Sequence, residues 1–259
     1  MNRRRSWPVR LLPWITTIVV VALQEVLART GVLPSVIPPF TETVATGWQM
    51  LPTSEFLEGL GQTLEQFALG LLIGVVVGIV LGIVLGVLPV VNLIVRYVME
   101  FLRFTPAVVY IPILVLLLGA RPQLSIVLAA LGSLWPILYQ TYYGVVGVPQ
   151  ILKDTGRVFG LTAAQRLWSI VIPTVSPFLA TGIRIAASHA LVVVVAVQII
   201  ASVEGTGRDI ETYAANGVFP RMYALILVIG IIGFLVNWLL ELLERRQLHW
   251  HASYREKQA

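Results

Sequence analysis

The side chains that usually carry covalent or acid–base chemistry are scarce in this chain of 259 residues, and they form no catalytic pattern. Cysteine is absent, so there is no thiolate nucleophile, no disulfide framework and no cysteine metal site. No His-Glu-x-x-His pair and no paired membrane aspartates occur. Gly132-Ser133 offers a hydroxyl, but it lacks the Gly-x-Ser-x-Gly turn and a positioned base. The only lysines are Lys153 and Lys257, and neither follows a glycine-rich loop, which excludes a phosphate-binding P-loop. No catalytic residue, metal or cofactor is therefore expected. The polar chemistry that remains is concentrated in 150–184, QILKDTGRVFGLTAAQRLWSIVIPTVSPFLATGIR, an amphipathic island between two long apolar segments. A polar loop of this design in a membrane protein is suited to touch something outside the membrane.

The elements that must hold this loop follow from composition. Hydrophobic residues make up 57% of the chain and charged residues 12%, and the mean hydropathy is +0.86. A soluble domain of this length would need more polar surface, so the chain reads as an all-α polytopic membrane protein, one transmembrane domain over 1–259. Six spans of roughly 20 residues fit, at about 11–29, 62–87, 105–119, 124–146, 174–200 and 222–243. An interfacial lead-in, 90–104, precedes the third. The first apolar stretch is too long for a signal core and lacks a clean cleavage site, so it reads as a retained span. Between spans one and two, Pro34, Pro38, Pro39 and Pro52 break the chain too often for a long helix.

Lysine and arginine placement gives the orientation. With the N terminus in the cytoplasm, the inner segments hold Arg3, Arg4, Arg5, Arg10, Arg96, Arg103, Lys153, Arg157, Arg166, Arg245, Arg246, Arg255 and Lys257. The outer segments hold Arg29, Arg121, Arg208 and Arg221, with Arg184 inside span five. Both termini and the polar loop are therefore expected in the cytoplasm. Glu42, Glu55 and Glu58 of the first outer loop have no basic neighbour in that loop, which agrees. The bases flank spans and form no basic domain, so nucleic acid is not an expected partner, whereas membrane lipid is.

Within the loop, 154–159 can form a short helix, and Gly160 suits the left-handed position that ends it. Thr162-Ala-Ala-Gln165 has capping-box spacing and should start a second helix, with Ala163, Leu167, Ile170 and Val171 toward the membrane domain. Pro173 and Pro177 mark the start of span five, where a first-turn proline costs little. The product is a helix–turn–helix over 150–173 on the cytoplasmic surface, a rigid knob able to transmit a push.

Three other patterns stand out. Gly70, Gly74, Gly78, Gly82 and Gly86 put a glycine strip on one face of span two. It can serve packing within one subunit, a dimer seam or a path-lining surface. Thr181, Arg184 and Ser188 share a face of span five, with Gln198 about 40° from Arg184 in projection. That face can line an anion path, or Arg184 can pair structurally near the inner boundary. His189 projects roughly 140° from Arg184 and suits a packed interhelical hydrogen bond. Tyr139, Tyr142 and Tyr143 suit an aromatic belt, and the Trp238–Trp250 region with Arg245 and Arg246 an interfacial anchor.

At the loop the chain resembles the membrane-spanning permease subunits of bacterial ABC importers. Their cytoplasmic signature is Glu-Ala-Ala, three residues, Gly, then after a gap an aliphatic residue and Pro. Gly160 fills the glycine, and Ile172-Pro173 the distal pair. Asp154-Thr155-Gly156 stands at the first three positions, so the acid is shortened and both alanines are lost. Gly156 weakens the first helix by up to ~1 kcal/mol against alanine. Leu102-Arg103-Phe104-Thr105-Pro106, Thr181-Gly-Ile-Arg184 and Glu204-Gly-Thr-Gly207 are similar to the branch importing nitrate, sulfonates and taurine. Gln198 replaces that branch's glutamate at the end of span five.

The resemblance implies a type I importer permease fold in the bacterial inner membrane. It implies a second permease copy, two cytoplasmic ATPase subunits and an external solute-binding protein. Lys153, Asp154, Gly156, Arg157, Phe159, Gly160, Leu161, Ile172 and Pro173 would couple to the ATPase. Thr181, Arg184, Ser188 and Gln198 are the path candidates. A channel or secondary transporter working without an ATPase is the alternative.

Overall fold

In a computed structural model, residues 7–247 are described. Arg3, Arg4, Arg5, Arg255, Lys257 and Trp250 lie outside them, and so does the side chain of Arg10. In chain order the helices are α1 (Trp7–Arg29), α2 (Phe40–Met50), α3 (Ser54–Val87), α4 (Pro89–Phe104), α5 (Ile111–Leu118), α6 (Pro122–Val146), α7 (Gln150–Val158), α8 (Ala163–Arg166), α9 (Ile172–Ala201), α10 (Thr206–Ala215) and α11 (Phe219–Gln247). A 3₁₀ turn, Ala107–Tyr110, precedes α5, and a π-helical turn, Leu167–Val171, joins α8 to α9. Five helical segments are long and apolar enough to cross a membrane, and α4 with the 107–118 segment makes a sixth if that bent pair counts as one span. The chain is a multi-pass membrane protein.

By contacts the chain forms two compact units. The first comprises the chain up to Glu58 together with Asp209–Ile229. Here the prolines after α1 punctuate the loop and leave room for the 11-residue α2 between Pro39 and Pro52. The Glu25 carboxylate accepts from the Thr41 N–H at 3.1 Å, satisfying one of the free donors of the first turn of α2. Gln24 Nε2 donates to the Pro38 carbonyl at 2.9 Å and fixes the turn. In the same unit the Tyr213 hydroxyl donates to Glu55 at 3.2 Å, and Arg221 lies 5.7 Å from the Tyr213 ring centre. Burial, then the nearby Glu55 charge, holds the Tyr213 phenol above its ordinary pKa, so it stays a neutral donor.

The second unit comprises Gly59–Arg208 and the chain from Gly230. Its centre is the contact of α3 with α6. Gly70, Gly74, Gly78, Gly82 and Gly86 meet Ala129, Ser133, Ile137, Thr141 and Val145 one by one, in parallel register. A Cβ on Gly82 would stand 2.5 Å from the Thr141 Cβ and 2.7 Å from the Leu138 carbonyl oxygen. Lipid gives helices no hydrophobic reason to associate, so such close backbone packing does that work. The glycine strip is thus spent within the chain. On the other side of α6, Gly144 receives Val175 and Phe178 of α9. Phe67, Ala129, Ala187, Ala190, Leu191 and Val194 form a core of small and large residues between α3, α6 and α9.

Two expectations need correction. The 105–119 segment is set off from the 90–104 lead-in at the expected boundary, but it is too short to be a full span by itself. Pro106 has no N–H and pushes Thr105 to extended backbone (φ −80°, ψ 117°), and α4 and the 107–118 segment meet at 87°. The 12 residues from Ala107 to Leu118 rise only ~18 Å at helical spacing, short of a ~30 Å hydrocarbon core. Nor is the second loop helix a separate surface element. Ala163–Ala201 is one continuous helical run of 39 residues. Pro173 leaves the ladder without a donor, and the chain answers with the π turn just before it. The Thr174 hydroxyl bonds the Ile170 carbonyl at 2.7 Å, and the Ser176 hydroxyl the Pro173 carbonyl at 2.8 Å.

Candidate functional site

Three sites in the second unit gather the residues singled out by sequence. The first is the turn between α7 and α8. The Leu161 N–H donates to the Gly156 carbonyl at 2.9 Å, and the Gly160 N–H to Arg157 at 3.0 Å. With Gly160 at φ 72°, this is a Schellman closure. One residue on, Thr162 and Gln165 form the reciprocal capping box, with the Thr162 N–H on Gln165 Oε1 at 2.9 Å. Two helix ends are thereby locked within a few residues.

Asp154 accepts from Gln150 Nε2 at 3.0 Å and from Arg157 at 2.8 Å, bonds that stay within α7. Gly156 is buried, and a Cβ there would stand 2.8 Å from Ile170 Cδ1 and 3.1 Å from Arg166 Cγ. The glycine that weakens α7 by propensity therefore also lets α7 approach the π turn. Ile170 and Val171 pack on a core of Val145, Val148 and Val175, while Ala163 faces outward. Val158 and Phe159 are 86% and 77% exposed. Lys153, Ile172 and Pro173 are half-buried.

The second site surrounds Gln198, which is fully buried. Its Oε1 accepts from the Gly207 N–H at 2.9 Å and from the Thr63 hydroxyl at 3.2 Å. Its Nε2 donates to Gln66 Oε1 at 3.0 Å and to the Glu204 carbonyl at 3.4 Å. Gln66 Nε2 donates to the same carbonyl at 2.8 Å, and the Thr206 N–H to Thr63 at 2.9 Å. The loop wraps tightly: a Cβ on Gly207 would stand 2.6 Å from the Gln198 Cβ, and Gly205 adopts φ 138°. Ser202 ends α9 in the left-handed conformation, at φ 51°. Gln198, expected on a path, is instead a packed link between α3, α9 and the 202–207 loop, and in this structure it has no free surface.

The third site is a cavity of about 600 Å³ framed by the α4–α5 break, α6 and α9. Arg103, Trp135, Tyr139, Gln140, Ile185 and His189 line it. Its α9 face is Ile185, His189 and Val192, at i, i+4 and i+7. Of the path candidates, Thr181, Arg184 and Ser188 project beside this face and are not among its lining residues. Arg184 pairs with the nearly buried Glu244 at 3.6 Å. The hydroxyls of Thr181 and Ser188 bond their own helix, to the Pro177 and Arg184 carbonyls at 3.1 and 3.4 Å. His189, expected in a packed interhelical bond, is exposed to the cavity.

The cavity and the Gln198 network were missed by sequence reading. The pairing of Thr63 and Gln66, i and i+3 at the polar start of a long helix that is apolar from Phe67 onward, was the available signal for the network.

A bundle of spanning helices built on a glycine seam, with a locked polar turn leading into one long helix, defines an integral membrane transport component. Residues 70–249 match the family described as binding-protein-dependent transport system inner membrane component, and the chain belongs to that family. The taurine transport system permease protein TauC of Escherichia coli strain K12 is 30% identical over 95% of this chain and 86% of its own. The putative aliphatic sulfonates transport permease protein SsuC of the same strain is 28% identical over 98% and 97%. The inward-facing MetNI methionine ABC transporter structure has a chain with a TM-score of 0.66 at 18% identity, covering 76% of this chain and 97% of that one. That likeness gives the fold, an importer permease fold. The protein is an ABC importer permease.

Proposed function

We propose that this chain forms the membrane passage of an ATP-driven importer for a small anionic organic solute of the sulfonate or taurine kind. Two copies pair in the bacterial inner membrane with both termini cytoplasmic. An external binding protein delivers the solute. Cytoplasmic ATPase subunits dock on the 150–173 loop, with Lys153, Asp154, Gly156, Arg157, Phe159, Gly160, Leu161, Ile172 and Pro173 forming or supporting the contact. The observation that carries this reading is the turn itself. Val158 and Phe159 stand exposed on a backbone locked by a Schellman closure and a capping box. Exposed apolar side chains on a rigid polar loop suit a protein partner. The names of the relatives support the solute class. Arg184 and Gln198 act in this scheme by holding helices in place, and the passage is the α4–α5–α6–α9 cavity.

The test is recovery of the tagged chain from its native host in mild detergent, with bound proteins identified by mass spectrometry. A P-loop ATPase should come down with the wild type. It should be lost from Gly160→Val, because a β-branched residue resists φ 72° and costs about 1–2 kcal/mol there. The variant should still insert in the membrane. Retention of the ATPase and normal ATP-dependent uptake by Gly160→Val would remove the turn from the coupling role. Recovery of the chain alone, with uptake intact, would favour an ATPase-independent carrier or channel.

A further inference from the structure

The cavity has a consistent electrical sign. Its lining includes a guanidinium, an imidazole, an indole, an amide and two phenols, and no carboxylate. The guanidinium of Arg103 lies 4.5 Å from the Tyr139 ring centre and 5.5 Å from that of Phe104. Contact with two ring faces helps to fix the position of a guanidinium, which has five N–H donors to share among partners. Among the described residues no carboxylate lies within 4.0 Å of Arg103, whereas Arg96, about two turns earlier, is bonded to Glu100 at 3.0 Å. A cation held in place without a carboxylate partner attracts an anion.

Part of the lining is apolar. Ile185 and Val192 of α9 and Trp135 of α6 offer a surface for a hydrocarbon stub. A volume of about 600 Å³ lies within the range of small-molecule sites. It leaves space for a solute to turn and leave.

We infer that this cavity is a binding site within the permease for a small organic oxyanion, a sulfonate or its like, with Arg103 gripping the charged head and Trp135, Ile185 and Val192 flanking the tail. The inference rests on the importer reading and deepens it: selection by charge is repeated inside the membrane, after delivery. His189 and Gln140 add donors on the α6 and α9 walls. The path face suggested by Thr181, Arg184 and Ser188 is replaced by its neighbour on α9.

The test uses the full chain, copurified with whatever partners it brings, in lipid nanodiscs. Ethanesulfonate and its neutral analogue ethyl methyl sulfone are titrated by calorimetry. Ethanesulfonate should bind, and the sulfone should not. Arg103→Gln should weaken sulfonate binding at least tenfold. Arg103→Lys should retain part of it, because the charge stays and the planar fork is lost. The lysine variant also guards against misfolding, and each preparation is checked for its copurified partners. Equal binding by Arg103→Gln, or equal binding of sulfone and sulfonate by the wild type, overturns the site. So does wild type that binds neither probe while its complex still imports solute with ATP. Failure of the importer reading has a separate signature, the absence of any ATPase in the wild-type preparation.

Discussion

The two sides of the second unit treat polar groups in opposite ways. On the α3 side, Gln198, Gln66 and Thr63 are buried and bonded to one another and to the 202–207 backbone. On the α4–α5 side, Arg103, His189 and Gln140 look into open space. α6 and α9 belong to both sides. Along α6, Ala129, Ser133, Ile137, Thr141 and Val145 press on the glycine seam, while Trp135, Pro136, Tyr139 and Tyr143 face the cavity. Polar groups that answer one another fix a shape. Polar groups left facing a cavity are available to a ligand.

That contrast can be broken at its closed side first. Gln198→Leu would strip partners from the Gly207 N–H and from Gln66 Oε1 at once, while the Thr63 hydroxyl keeps the Gly59 carbonyl. Leaving buried groups unsatisfied costs about 1–3 kcal/mol each, so a loss of about 2–6 kcal/mol is expected. Thermal unfolding of the purified chain measures it, and an unchanged melting temperature would mean that the network does not hold the loop. Gly82→Val is the next largest. It forces a branched side chain against Thr141 and the Leu138 carbonyl and should cost about 1–3 kcal/mol by overpacking. A native-like melt would show that α3 and α6 can separate freely. The open side should yield least. Val192→Ala on the cavity wall should change stability by less than ~0.5 kcal/mol in the same assay. A larger loss would mean that the cavity wall is structural after all.

Much of this architecture was legible because it is local or periodic. Apolar length gave the spans, and α4 begins one residue before the expected lead-in at 90–104. The Gly160 turn and the Thr162 cap were readable because every partner lies within five residues. The bonded surroundings of Gln198 were not legible because its partners at Thr63 and Gln66 lie 135 and 132 residues away, and periodicity cannot report such pairings. The bend at Pro106 falls at the boundary expected between the 90–104 lead-in and 105–119, where the residue before proline avoids helix, whereas the hydropathy of 105–119 suggested a full span that the 12 residues of 107–118 do not supply. Choosing between adjacent faces of α9 needed the neighbouring helices. Helical projection separated His189 from Arg184, but it could not say which of them met space.

The π turn at Leu167–Val171 has one more consequence. It takes up about one residue more per turn than an α-helix does. It therefore absorbs one residue within a single revolution, and the helix on either side keeps nearly the angular phase of a plain α-helix one residue shorter. Removing one residue from this turn would restore plain α-helix and leave the aim of the 150–160 segment nearly unchanged, whereas a deletion within the α-helical residues after Ile172 would swing that segment by roughly 100° about the helix axis. The direction in which Phe159 points is in this sense a matter of arithmetic along the chain, and the π turn is a place where that arithmetic has slack.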